Sequence, residues 1–151
     1  MFRQSPPDNN WTFALPIKGT AQVPWYTPED TGKYVKAILY NREKLLGKDF
    51  HGANGYATPL EIVEIFKKLY PQAGEKASFA ELPGDVYKNI IKQTMGAPDY
   101  VAQELYENMR LLEDFGYYFG ADLKPSLELV DEKLTTWEDF ARTAPAFKEL
   151  K

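Results

Sequence analysis

Two hydrophobic rhythms alternate along this chain. WTFAL at 11–15 partly alternates apolar with polar residues, the period of a strand, and Pro16 ends it. Lys18 and Gly19 make a turn, and AQV at 21–23 is a second short strand. From Thr27 the spacing lengthens to that of a helix, with Val35, Ile38 and Leu39 on one apolar stripe and Thr31 and Tyr34 at its edge. Thr27 is placed as the N-cap and Pro28 in the first turn, where its missing N–H leaves no bond unmade. Glu29 and Asp30 bring negative charge to the positive end of the helix dipole. Leu45, Leu46 and Gly47 close the unit, and a third strand follows through Phe50 to Tyr56.

The second half of the chain reads as helices. Thr58 and Glu61 form a capping box around Pro59. The helix they open carries Ile62, Val63, Phe66, Leu69 and Tyr70 on one side, and Pro71 and Gly74 end it. A fourth strand covers 77–82, and a helix then runs through Val86, Ile90 and Ile91. The longest helix, from Tyr100 to about Phe115, repeats Val101, Leu105, Met109, Leu112 and Phe115 at a period near 3.6. Gly116 is its C′ residue. A short helix is expected at 126–133, and Thr135 with Glu138 repeats the capping-box pattern for a last helix. Residues 1–10 lack periodicity and read as a flexible lead-in loop, although the apolar pair Met1 and Phe2 suggests a position once internal to a longer chain. The expected fold class is α+β, mostly helical, with about four short strands in one domain over 1–151.

Composition narrows the function. The chain is 44% apolar and 15% aromatic, enough for a real core in a domain of 151 residues. A net charge of −4 without a basic stripe argues against direct nucleic-acid binding. The absence of cysteine removes disulfides, thiolate catalysis and Cys-ligated zinc. The apolar runs fall short of a membrane span, and no secretory leader pattern is present. A cytoplasmic protein without a membrane partner is expected, with the nucleus open to a regulator.

Candidate chemistry is sparse. Tyr40 and Lys44 stand four apart, a spacing at which a lysine lowers a tyrosine's pKa for proton transfer. Their helix-end position favours a solvated pair. His51 is the single histidine, too few for a metal site. Gly52 and Gly55 do not match the phosphate-cradling pattern, because the strand-to-helix spacing is wrong. Glu75, Glu81 and Asp85 form no pair. The catalytic and metal sets are therefore empty. Trp25 and Tyr26, at a strand-to-helix turn, wall a pocket or pack a core corner. Tyr56, Tyr117 and Tyr118 are further cleft candidates, and Thr27, Asp30, Thr58 and Glu61 are structural caps.

Order and spacing carry a resemblance. Asp30 and Gly32 at a helix start, Gly47-Lys48 before a strand and Thr58 with Glu61 opening a helix resemble the second half of NmrA-like proteins, atypical relatives of the short-chain dehydrogenases. NMRLLEDFGY at 108–117 and LTTW at 134–137 resemble that family's closing helices. The resemblance implies a Rossmann-type protein with NADP or NAD as cofactor of the complete family protein. The glycine-rich fingerprint of a dinucleotide site does not occur in these 151 residues, so no cofactor-binding residue is assigned and no cofactor is expected for the chain alone. The expected unit is a C-terminal substrate or partner subdomain whose first partner is the nucleotide-binding half, docked near Trp25, Tyr26 and the lead-in segment. The resemblance implies a redox-sensing regulator that binds dinucleotide without turnover, contacting a transcription factor or a small molecule. An NAD(P)H-dependent oxidoreductase of a small organic substrate and a truncated non-functional remnant are the alternatives.

Overall fold

The computed structural model describes residues 2–5 and 9–150. Its centre is Phe66, fully buried on the helix α3 (Pro59–Leu69). Ring centroids of Phe2, Trp11, Tyr70 and Phe147 lie 4.5, 5.5, 5.2 and 5.2 Å from it. At such spacings tilted aromatic pairs add to the stabilisation from buried area alone. Helix α7 (Trp137–Thr143) closes this core, with the Tyr70 hydroxyl donating to the Ala141 carbonyl at 2.6 Å.

Strand alternation feeds the same cluster. β1 (Phe2–Ser5) pairs antiparallel with β2 (Asn10–Leu15), setting Phe2 opposite Phe13. β2 pairs in parallel with β5 (Ser78–Glu81), setting Phe13 opposite Phe79. The aromatic face of this sheet looks toward α3; the other face carries Arg3, Thr12, Ala14 and Ala80. β3 (Val23–Trp25) and β4 (Gly55–Ala57) form a separate antiparallel pair.

The remaining helices are α1 (Thr31–Tyr40), α2 (Arg42–Leu45), α4 (Gly84–Met95), α5 (Asp99–Phe115) and α6 (Lys124–Leu127). Short 3₁₀ turns occupy Pro28–Asp30 and Pro145–Phe147. None of the described helices is long and apolar enough to cross a membrane. The α+β class holds, with five strands and seven α-helices described.

Several expectations are corrected. Phe2–Ser5 is a strand rather than loop, because Phe2 anchors it among five aromatic rings; Met1 and residues 6–8 of the expected loop lie outside the described residues. The second strand is Val23–Trp25, and the third shrinks to Gly55–Ala57. Upstream of Gly55 the backbone is spoken for: the His51 N–H donates to Ser126 Oγ, and the Gly52 carbonyl accepts from the Tyr118 hydroxyl. No ladder forms where those groups are already bonded. On α1 the buried residues are Tyr34 and Ala37, while the expected apolar stripe is open, with Leu39 60% exposed. The sixth helix spans Lys124–Leu127 instead of 126–133; the following Asp131 and Glu132 meet Lys36 of α1. The last capping box belongs to Thr136 and Asp139, one residue later than expected. Thr135 has another use.

Candidate functional site: a tyrosine-lined cleft braced by Asp30

That use centres on Asp30, a carboxylate with no exposed surface. Its oxygens accept from Asn54 Nδ2 at 2.6 Å, the Thr135 N–H at 2.8 Å and Thr135 Oγ1 at 3.2 Å. Lys33 Nζ stands 2.6 Å away and also donates to the Lys133 carbonyl at 2.6 Å. Burial alone would raise the Asp30 pKa. The Lys33 ammonium, the Thr135 amide and Asn54 outweigh it and hold the carboxyl below its ordinary value. Four donors around one buried anion make the set self-consistent, since a buried charge needs its lone pairs met.

The same network sets the loop before β4. Asn54 Nδ2 also reaches the Thr135 carbonyl at 2.7 Å, Trp25 Nε1 reaches that carbonyl at 3.0 Å, and the Asn54 N–H donates to the Trp25 carbonyl at 2.7 Å. The Tyr34 hydroxyl donates to Asn54 Oδ1. Burial, then the nearby Asp30 charge, push the Tyr34 phenol well above its usual range. Helix α1, the β3–β4 pair and the 130–136 segment are thus tied at one point.

Beside this brace lies an open cavity of about 380 Å³, lined by Val23, Pro24, Tyr26, Gly52, Ala53, Leu112, Tyr117 and Tyr118. Its size is in the range of small-molecule sites. Tyr117 and Tyr118 meet edge to face at 4.9 Å, and Tyr26 stacks on Tyr34 at 6.1 Å. The Tyr118 phenol is raised by burial and then by the neighbouring Tyr117 and Tyr56. The lining carries no carboxylate, lysine, arginine or histidine. His51 contacts the Tyr118 ring at 4.7 Å without lining the cavity.

The candidate residues therefore separate. Tyr26, Tyr117 and Tyr118 come together in the cleft. Tyr56 lies outside its lining, with its hydroxyl on the Ala121 carbonyl at 3.1 Å. Trp25 packs against Trp137 and Phe140 at 5.2 and 5.5 Å, the core-corner reading rather than the pocket wall. Tyr40 ends α1 at 78% exposure and Lys44 sits on α2, so the pair shares no helix face. Thr58 and Glu61 form the reciprocal cap of α3. Thr27 makes no cap bond: it heads a 3₁₀ turn and its hydroxyl donates to the Glu29 carboxylate. Asp30, placed by sequence as a dipole charge, is the hub of the brace. The sequence marks Thr135 only as a helix cap, and for Asn54 the one available signal is an asparagine between Gly52 and Gly55.

Fold and site together define a small α+β unit with a tyrosine-lined, uncharged cleft beside a buried carboxylate. The chain belongs to the NmrA-like family, whose sequence model matches residues 1–141. A comparison with curated proteins finds no match. The family is one of NAD(P)-binding regulators and oxidoreductase-like proteins.

Proposed function

We propose that this chain is the substrate- or partner-binding part of an NAD(P)-binding NmrA-like protein, acting as a redox-sensing regulator that binds dinucleotide without turning it over. The observation that carries the reading is the lining of the cleft: three phenols and apolar atoms, with no charged side chain to move a proton or a hydride's counter-charge. General acid–base catalysis needs a group whose pKa lies near the working pH. Tyr118, raised by burial, moves away from that range. Such a cleft holds a neutral ligand or an apolar side chain of a transcription factor. In a form linked to a dinucleotide-binding unit, calorimetry gives heat of binding for NADP and NADPH, and NADPH absorbance stays constant with small carbonyl substrates present. Sustained NADPH consumption overturns the regulator reading.

The oxidoreductase reading has one observation in its favour, the His51 ring against Tyr118. If His51→Gln abolishes an NADPH-consuming activity while leaving dinucleotide binding intact, the chain serves a reductase.

A further inference from the structure

A second cavity lies between the β1–β2–β5 sheet and the α4–α5 hairpin, on the face of the sheet away from Phe66. Its volume is about 460 Å³, within the range of small-molecule sites. The strand sequences make the room. Ala14 and Ala80 are register partners on the parallel pair β2 and β5, and each puts only a methyl group on this face. Tyr87 and Ile90 of α4 and Met109 of α5 form the opposite wall.

The cavity is polar at one end and apolar at the other. Arg3 of β1 and Thr12 of β2 are register partners whose side chains share the cavity face. Leu15 lies further along β2, about 10 Å from Thr12 at the usual rise of a strand. Leu82 joins it there, with its N–H donating to the Leu15 carbonyl at 2.9 Å. Arg3 is the single charged side chain of the lining. Burial raises the Tyr87 phenol, so that group adds no negative charge at neutral pH. A guanidinium has five N–H donors and no acceptor, enough to serve a protein group and a ligand together. Neither the Thr12 nor the Tyr87 hydroxyl makes a hydrogen bond among the described residues. Half-buried hydroxyls of this kind are satisfied by water or by a ligand.

Donors and one positive charge at the polar end complement an anion that only accepts, and an ionised carboxylate is such a group. The apolar length behind it complements a hydrocarbon tail. We infer that this cavity binds a medium-chain monocarboxylate, with its head at Arg3 and Thr12 and its tail running between Ala14, Ala80, Ile90 and Met109 toward Leu82. Arg3 stands exposed on the edge strand of the sheet, so the bound head keeps contact with water and its charge is not stranded in an apolar interior. A neutral alcohol of equal length gains the tail contacts alone. The site is separate from the tyrosine cleft, whose lining is uncharged, and stands whether or not the function proposed for that cleft holds.

Methionine methyl resonances give a local readout in the intact chain, because Met109 lines the cavity while Met95, at the end of α4, is 64% exposed. Titration with octanoate should shift the Met109 methyl saturably and leave Met95 in place. The probe 1-octanol should shift the same methyl with at least tenfold weaker affinity. Arg3→Gln removes the charge and should weaken octanoate at least tenfold while leaving 1-octanol unchanged. Thr12→Val keeps the shape of the side chain and should weaken octanoate severalfold. Ala80→Leu fills the floor and should abolish the Met109 shift with both probes. Arg3→Gln changes an exposed position on an edge strand, so it tests the site even if Ala80→Leu does not fold. No Met109 shift at millimolar octanoate overturns the site. A shift that fails to saturate, or that is as large at Met95, marks general adsorption and also overturns it. Binding of 1-octanol as tight as that of octanoate, or octanoate affinity unchanged in Arg3→Gln, overturns the assignment of a carboxylate ligand.

Discussion

At Asp30 one side chain decides how three parts of the chain meet. It is fully buried, and every atom bonded to its oxygens is a donor. Asp30→Asn keeps the shape but turns an acceptor facing amide donors into an amide of its own. Breaking a buried ionic set typically costs about 3–5 kcal/mol, and the quarter-exposed Lys33 places this case at the lower end, about 3 kcal/mol. Urea unfolding at neutral pH measures it; a loss below about 1 kcal/mol would mean the network is not stabilising. The pH dependence has a fixed sign. Because the folded carboxyl titrates below its unfolded value, its contribution is complete above the ordinary Asp pKa of about 3.9 and is lost as pH falls through the lowered folded value. Wild type should therefore lose stability on acidification below about pH 4 more steeply than Asp30→Asn. Parallel acid limbs for the two proteins would refute this. Little of that was legible in sequence. An aspartate in a first turn reads as a dipole charge, and its real partners, Asn54 and Thr135, lie 24 and 105 residues away.

Local signals were reliable where the partners are local. Thr58 and Glu61 bond each other's backbone across three residues, and α3 starts there. Thr27 shows the opposite. It has the residue type and position of a cap, yet Pro28 starts a 3₁₀ turn and the hydroxyl turns to Glu29. Replacing each with the isosteric valine separates the two roles. Thr58→Val should cost about 1 kcal/mol, the usual value of an N-cap. Thr27→Val should leave the denaturation midpoint unchanged. A loss at Thr27 as large as that at Thr58 would restore it as a cap. Helix α1 was legible as an element and misread as a face. Val35, Ile38 and Leu39 have the right spacing, but Tyr34 is drawn inward by Asn54 and carries Ala37 with it. A side-chain bond to a distant loop thus rotates the helix against its own hydrophobic stripe. The cleft was half legible: aromatic pairs beside turns marked Tyr26, Tyr117 and Tyr118, whereas Val23, Gly52 and Leu112 have nothing in their local sequence to mark them.

On the scale of the molecule, the chain divides into an aromatic core and a helical hairpin. The core gathers β1, β2, β5, α3 and α7 around Phe66. Helices α4 and α5 pack chiefly on each other, so closely that a Cβ on Gly84 would stand 2.5 Å from the Tyr106 ring. Lys88 adds a cation–π contact, with Nζ 5.6 Å from the centre of that same ring. Between the hairpin and the sheet lies a cavity of about 460 Å³ lined by Thr12, Ala80, Ile90 and Met109, and each hairpin helix packs chiefly on the other, so the contacts that hold the two parts together are few. Regions with few such contacts open at a lower free energy than the global unfolding transition. Native-state hydrogen exchange should therefore divide the amides into two sets. Those of Phe66 and Tyr70, bonded along α3 at the centre of the core, should exchange only through global unfolding and become faster in step with added denaturant. Those of Ile90 and Ile91 in α4 should exchange at least tenfold faster, through an opening with weaker denaturant dependence, because less surface is exposed when the hairpin swings free of the sheet. Equal protection in α3 and α4 of the isolated chain, with the same denaturant slope, would show a single cooperative unit and remove the physical basis for a loosely held hairpin.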